Sequence, residues 1–152
     1  MNLASTTIGY PYIGGNREWK RCVESFWKGD KSEEQFIFEM KTIRLNHLKH
    51  QQSLGLDIIT VGDFTFYDRM LDLAAMFGLI PARYKWTGEQ VNLTTYYAMA
   101  RGANDVVASE MTKWFNTNYH YIVPEYEGQP LELTQNYILD YFLEAKFELG
   151  LM

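Results

Sequence analysis

The sequence has little of what marks secreted, membrane or nucleic-acid-binding proteins. Its one cysteine, Cys22, cannot form an internal disulfide and fits a reducing cytosol. Its 14 lysine and arginine residues are outnumbered by 19 acidic residues, and the net charge of −5 argues against a nucleic-acid partner. No apolar run approaches membrane-spanning length, and the N-terminus lacks the plan of a signal peptide. We therefore expect a soluble cytoplasmic protein with no nucleic-acid or membrane partner.

The composition that is present indicates one folded domain. A chain of 152 residues is long enough for one hydrophobic core and too short for two domains. Its 47% hydrophobic content argues against disorder. The aromatic content of 16%, with eleven tyrosines, indicates surfaces that are partly buried and partly wet.

Predicted helices and strands alternate along the chain. Capping and stop signals predict helices over residues 17–28, 32–54, 66–77, 92–101 and 134–149. Ser32 with Gln35 fits a capping box, whereas Asn16 and Thr134 are expected to cap the first and last helices. β-Branched runs predict strands over 5–9, 57–61 and 110–115, of which the second is expected to be a buried parallel strand. Residues 116–118 are predicted to be a turn, and 119–123 further extended chain.

This alternation predicts an α/β fold with a mainly parallel sheet. About three strands with five or so helices are too few to close a barrel. The chain also stops just after a predicted helix C-cap at Gly150, where a βα protein would begin its next strand. We therefore expect an incomplete domain that self-associates through an exposed strand edge and apolar helix faces.

Three places past predicted strands could carry chemistry, and each has a plain structural alternative. The loop 14–20 leads into a helix N-terminus and would bind an anion with Arg17 and Lys20, or it is a turn followed by a solvated helix face. Asp63 would bind a substrate hydroxyl or amine, or cap the next helix. Lys113 would project from a strand beside aromatic residues, or it is a surface lysine.

The histidines offer no clear metal site. His47 lies on an apolar helix stripe, and His50 has no glutamate or cysteine nearby at metal-ligand spacing. His120 is expected to pack among tyrosines. No serine or cysteine nucleophile arrangement is recognisable. The residues alone therefore indicate only a soluble α/β segment with one candidate anion-binding loop.

Four segments, in order, resemble the N-terminal region of the cobalamin-independent methionine synthases. The resemblance covers nearly the whole chain, and the last segment is long and of unusual composition. The segments are Ile8–Lys20 (IGYPYIGGNREWK), Val61–Asp68 (VGDFTFYD), Ala98–Gly102 (AMARG) and Glu110–Glu125 (EMTKWFNTNYHYIVPE). Tyr12 departs from an arginine, and Asn116 from an aspartate, that are usual in the family.

The resemblance implies an enzyme that transfers a methyl group from 5-methyltetrahydropteroyl-polyglutamate to homocysteine, forming methionine. It implies two (βα)8 TIM-type barrels, with residues 1–152 an N-terminal portion of the first. Zinc, homocysteine and most of the folate site would belong to a C-terminal barrel absent from this chain, which would itself carry no cofactor. The folate contacts carried over from the family are Arg17, Glu18, Trp19, Lys20 and Lys113.

Three functional hypotheses follow from these observations. The first is a fragment of the synthase that contributes folate contacts and is inactive alone. The second is a freestanding folate-polyglutamate binding module, or a partner for a separate catalytic half. The third is an enzyme of another type that uses Asp63, Glu110 and Lys113, and nothing positive in the sequence supports it.

Overall fold

Helices dominate the computed structural model, which describes residues 3–150. In chain order the helices are α1 (Glu18–Trp27), α2 (Glu33–Ser53), α3 (Arg69–Met76), α4 (Leu93–Arg101) and α5 (Tyr137–Glu148). A 3₁₀ helix spans Ala82–Tyr84, and the strands are β1 (Met111–Lys113) and β2 (His120–Ile122). The chain divides into a first unit, residues up to 66 together with those from 137, and a second unit, residues 67–136.

Helix α2 follows its predicted form closely. The Ser32 hydroxyl accepts a hydrogen bond from the Gln35 backbone N–H at 3.3 Å, and the Gln35 side chain accepts one from the Ser32 N–H at 2.9 Å. This capping box confirms the predicted helix start, since it satisfies two backbone donors that a helix N-terminus leaves open. Phe36 and Met40 of this helix are fully buried.

Helix α5 packs against α2 in the first unit through a small apolar cluster. Its members are Leu45, Leu48, Ala145 and Leu149, with Ile59 and Val61 partly buried against them. Beside the cluster, the buried Arg44 guanidinium lies 3.8 Å from the centre of the Tyr141 ring and donates to Glu144. Both apolar packing and a charged contact therefore hold these two helices together.

The first two predicted strands meet in a single parallel bridge between Thr6 and Ile58. The Ile58 N–H donates to the Ser5 carbonyl at 3.0 Å, and the Thr60 hydroxyl donates to the Thr7 carbonyl at 2.5 Å. Their parallel direction is as predicted, but the extended strands over 5–9 and 57–61 are wrong. The expected burial is also wrong for Ile58, whose side chain is 55% exposed.

In the second unit, α3 begins later than the pattern predicts. The Asp68 carboxylate accepts from the N–H groups of Met70 and Leu71 at 3.2 and 3.1 Å, so Asp68 is the N-cap. The predicted start near residue 66 is therefore wrong. Leu73 and Phe77 are exposed. The buried α3 residues are Leu71, Ala74, Ala75 and Met76.

Strands β1 and β2 pair antiparallel, which corrects the predicted mainly parallel sheet. Residues 114–119 join them, and this connection is too short for the crossover that parallel neighbours need. Within residues 3–150 the fold is thus mixed helix and sheet, with five α-helices and two strands rather than about three.

The predicted cap of the last helix has a different role. The Thr134 hydroxyl donates to the carbonyls of Ala75 and Met76 at 3.0 and 3.2 Å, at the end of α3. It is therefore not the cap of α5, which begins at Tyr137. Among the helices described, none is both long and apolar enough to cross a membrane.

Candidate functional site

The loop before α1 is shaped by the Glu18 side chain. Its carboxylate accepts hydrogen bonds from the backbone N–H of Asn16 at 3.1 Å and from the Asn16 amide at 3.3 Å. A Cβ atom at Gly14, which has φ +79°, would lie 2.1 Å from the Glu18 Oε2, so glycine leaves room for the carboxylate. Contrary to the prediction, Asn16 does not cap α1. Arg17 is at the N-cap with φ 60° and makes no side-chain capping bond.

The same carboxylate is held in its charged form. The backbone N–H of Glu18 itself has the largest effect and lowers the pKa of the Glu18 carboxyl; desolvation, the next in size, opposes it, and the two Asn16 groups lower the pKa further. A fixed negative charge in the first turn of α1 favours the positive end of the helix dipole. Glu18 therefore stabilises the loop, and its negative charge would repel an anion.

Trp19 anchors α1 within the first unit. Its indole N–H donates to the Thr65 carbonyl at 2.7 Å, and its ring meets the Tyr12 ring edge-on with centroids 5.0 Å apart. Thr65 is 2% exposed, so the bond satisfies a buried carbonyl. Trp19 thus fixes the segment that carries Arg17 and Lys20.

Arg17 and Lys20 supply the positive charge of this segment. Arg17 is exposed, and the Lys20 ammonium lies 3.5 Å from a Glu24 carboxylate oxygen one turn along the helix. Such an exposed pair contributes only about 0.2–1 kcal/mol, so a bound anion can compete for Lys20. Arg17 and Lys20 thus lie three residues apart at the start of α1.

Asp63 does not cap a helix, which corrects one of its two predicted roles. Its carboxylate accepts from the Tyr10 backbone N–H at 2.6 Å, and the Tyr10 ring lies 4.6 Å from the His47 ring, centre to centre. Burial lowers the pKa of His47, although the Glu18 and Asp63 carboxylates act in the opposite direction. A cavity of about 10 Å³ beside these groups has room for one water molecule at most.

Lys113 lies at the end of β1 in the second unit, opposite His120 of β2. Both side chains are exposed, so the expectation that His120 packs among tyrosines is wrong. Beyond Lys113, the Trp114 ring packs edge-on against Tyr121 with centroids 5.2 Å apart. These two rings lie on the face of the hairpin opposite to Lys113, so the aromatic residues do not flank its side chain as predicted, and Lys113 is an exposed surface lysine.

The segment Glu110–Glu125 is held at its end by a bidentate contact between the Arg83 and Glu125 side chains. The two terminal nitrogens of Arg83 donate to the two oxygens of Glu125, both at 2.6 Å. This contact lowers the pKa of Glu125. Sequence reasoning missed Arg83, since nothing near it in the sequence indicates a partner 42 residues away.

The described residues do not offer a zinc site. Within residues 3–150 no three histidine, cysteine, aspartate or glutamate side chains lie together as metal ligands would. Burial raises the pKa of the Cys22 thiol to about 11, with Glu39 adding to the effect, so the thiol is neutral near pH 7. We assign no metal-binding role to these residues.

Comparison with known proteins identifies the family. Residues 4–152 match the cobalamin-independent synthase, N-terminal domain. The 5-methyltetrahydropteroyltriglutamate–homocysteine methyltransferase of Halalkalibacterium halodurans is 54% identical over 149 residues, 98% of this chain and 20% of that protein. Proteins of the same name from Listeria welshimeri and Bacillus cereus are 54% and 53% identical, each over 99% of this chain and 20% of their own length. The chain thus spans about one fifth of these relatives, and it belongs to the cobalamin-independent methionine synthase family, whose N-terminal domain it matches.

Proposed function

We propose that this chain is an N-terminal portion of a methyltransferase that moves a methyl group from 5-methyltetrahydropteroyltriglutamate to homocysteine, forming methionine. The observation that carries the proposal is 54% identity, over 98% of the chain, to a methyltransferase named for these two substrates. We further propose that the chain is part of a (βα)8 barrel in the cytoplasm. The parallel bridge between Thr6 and Ile58, with α1 and α2 between its partners, supports a βα arrangement.

In this proposal the chain contributes contacts to the polyglutamate tail of the folate. Each γ-linked glutamate keeps a free α-carboxylate, so the tail is a string of negative charges. Arg17, Lys20 and the N-terminus of α1 offer positive charge in the first unit, and Lys113 offers it in the second. Glu18 and Trp19 support these contacts by holding the loop and the helix in place.

Methyl transfer itself is assigned to other parts of the enzyme. The resemblance places zinc and homocysteine in a C-terminal barrel, and zinc would hold the homocysteine sulfur as the nucleophilic thiolate. We therefore propose that the isolated chain is inactive. With zinc, homocysteine and the methylfolate, it is expected to give no methionine above background, and clear turnover would contradict this assignment.

A chimera tests the whole proposal. Residues 4–152 would replace the matching fifth of the Halalkalibacterium halodurans methyltransferase, and methionine formation would be measured. Because the two segments are 54% identical, we expect activity within about tenfold of the parent enzyme, or about 1.4 kcal/mol. A chimera that folds, as judged by circular dichroism and thermal melting, but forms no methionine would refute the proposal.

The tail contact is tested by comparing tri- and monoglutamyl folates in the chimera. Lys113→Ala is expected to raise the KM for the triglutamyl substrate by about three- to tenfold, because one charge-assisted contact is lost. The effect on the monoglutamyl substrate is expected to be smaller. Lys28→Ala, an exposed lysine at the far end of α1, is the matched control. Equal KM values for wild type and Lys113→Ala would mean that Lys113 has been misassigned.

The binding-module alternative makes a different prediction for the isolated chain. It expects tight binding of triglutamyl folate without any other polypeptide, whereas a portion of a larger site binds weakly alone. Calorimetric titration of triglutamyl folate into the isolated chain and, separately, into the chimera distinguishes these two hypotheses. An affinity as high for the chain as for the chimera would favour the module.

We also propose that the isolated chain self-associates. Exposed apolar side chains on α5 support this, because a surface of this kind favours burial against another molecule. They are Ile138, Leu139, Phe142, Leu143 and Phe147. Analytical ultracentrifugation is expected to show concentration-dependent association, and a strict monomer at high concentration would contradict it.

A further inference from the structure

The register of the hairpin places a second polar side chain beside Lys113. Lys113 of β1 lies directly opposite His120 of β2, and both are exposed. Residues directly opposite each other in an antiparallel pair project from the same face, with Cβ atoms about 4.5–5.5 Å apart. The ammonium and imidazole groups therefore share one face of the hairpin.

This register is fixed at both ends of the hairpin. The Asp68 carboxylate that caps α3 also accepts from the Ile122 N–H at 2.9 Å, which holds β2 to the start of that helix. At the turn, the Trp114 N–H donates to the Tyr119 carbonyl at 2.8 Å. A slip of one residue would move His120 to the other face, so these bonds determine its position beside Lys113.

The opposite face of the hairpin has a different chemistry. Trp114 packs against Tyr121 there, and the alternation along β1 directs Glu110 to the same side. The carboxylate nearest in sequence thus lies on the face away from Lys113. The Lys113 face of the two strands carries Met111 and the buried Ile122 beside the two polar groups. This face suits an anion better than a cation.

We infer that His120 is a second contact for the folate tail, and that it binds the same carboxylate as Lys113. The inference rests on the proposed function. An imidazole offers an N–H donor whether neutral or charged, so His120 can donate to one carboxylate oxygen while the Lys113 ammonium donates to the other. Two donors about 5 Å apart at their Cβ atoms can converge on one carboxylate, and they would favour it over a neutral group.

The test uses steady-state kinetics of the chimera and calorimetry of the full chain, with 5-methyltetrahydropteroyltriglutamate and its monoglutamyl form as probes. His120→Ala is expected to raise the KM and the Kd for the triglutamyl form by about three- to tenfold, with a smaller change for the monoglutamyl form. His120→Gln, which keeps an N–H donor at similar reach, is expected to restore most of the loss. Asn118→Ala, an exposed change in the same hairpin, is the control.

A double-variant cycle tests whether the two residues share one carboxylate. If they do, the double variant Lys113→Ala with His120→Ala raises the KM for the triglutamyl form by less than the product of the two single-variant increases, because each single change already weakens the same contact. A Lys113→Ala effect without any His120→Ala effect would overturn the inference and leave the proposed function standing. If neither the unsubstituted chimera nor the unsubstituted chain distinguishes the triglutamyl from the monoglutamyl folate, the proposed tail contact is overturned, and this inference with it.

Discussion

Removing the Glu144 carboxylate should destabilise the first unit more than removing any exposed charge on α5. The Arg44 side chain, on a residue 8% exposed, donates to one Glu144 oxygen at 3.1 and 2.5 Å, and Lys41 donates to the other at 2.9 Å. In Glu144→Ala the Arg44 guanidinium stays buried without a carboxylate partner, and the faces of the Tyr141 and Phe64 rings still lie beside it. Charge-assisted hydrogen bonds and an unpaired buried charge together predict a loss of about 2–4 kcal/mol.

The chain contains a matched control one turn away on the same two helices. Glu148 of α5 faces Lys49 of α2 at 3.4 Å, with 52% of the lysine side chain exposed. Solvent screens this pair, so Glu148→Ala should cost less than about 1 kcal/mol. Replacing the buried pair with apolar residues, Arg44→Met with Glu144→Leu, should bring stability back to within about 1 kcal/mol of wild type.

Urea unfolding, followed by circular dichroism and by tryptophan fluorescence, measures these differences through the midpoint at constant m-value. The pH dependence gives a second measurement. Burial alone would raise the pKa of Glu144, but the hydrogen bonds from Arg44 and Lys41 outweigh it and the pKa is lowered. The stabilisation is therefore present above the unfolded pKa of about 4.3 and is lost as the pH falls through the folded value. A loss for Glu144→Ala no larger than for Glu148→Ala would refute this reasoning.

Three further changes test other parts of the fold. Burial lowers the pKa of His47, so the free energy of unfolding should fall as the pH drops below about 6.5, and His47→Gln should flatten that slope in urea titrations. Burial raises the pKa of the Cys22 thiol to about 11. A thiol reagent near neutral pH should therefore modify the unfolded chain and leave the folded chain intact. Rapid labelling of the folded protein would contradict this. Asp68→Ala should lower the free energy of unfolding by about 2–3 kcal/mol, because it removes the cap of α3 and leaves the Ile122 N–H unpaired. Asn92→Ala, which removes only the cap of α4, should lower it by about 1 kcal/mol. Equal losses in urea unfolding would exclude the second role of Asp68.

The sequence was sufficient where a helix start depends on groups a few residues apart. The capping box of Ser32 with Gln35 forms as predicted, and the helix expected from residue 92 begins where the Asn92 side chain accepts from the Thr95 N–H. In these cases donor and acceptor are neighbours along the chain, and no distant group competes for them. The partners, and so the helix start, can therefore be identified from the residue types alone.

Two predicted caps are wrong because the side chain expected to cap the helix forms hydrogen bonds with another group. Asn16 donates to the Glu18 carboxylate, and Thr134 donates to carbonyls at the end of α3, 58 and 59 residues away. The first alternative was present in the local sequence, since a carboxylate two residues on can accept those bonds. The second depends on how the second unit folds, and no local pattern indicates it.

The direction of the hairpin could also have been predicted. The turn at residues 116–118 was expected, and a short turn between two extended runs brings them back antiparallel. The assumption of a mainly parallel sheet came from the alternation of helices and strands along the whole chain. Here the local signal was correct, and the general pattern was wrong for this pair of strands.

The segment Arg17–Lys20 shows why a family motif does not by itself separate contact from support. Glu18 and Trp19 use their polar atoms within the protein, on Asn16 and on the Thr65 carbonyl. Arg17 and Lys20 are the members whose charge is opposite to that of a carboxylate. A change in either supporting residue should therefore act mainly through the position of the loop and depend little on ionic strength. A change in either cation should weaken binding of the triglutamyl tail in a salt-dependent way, because screening acts on the charges themselves.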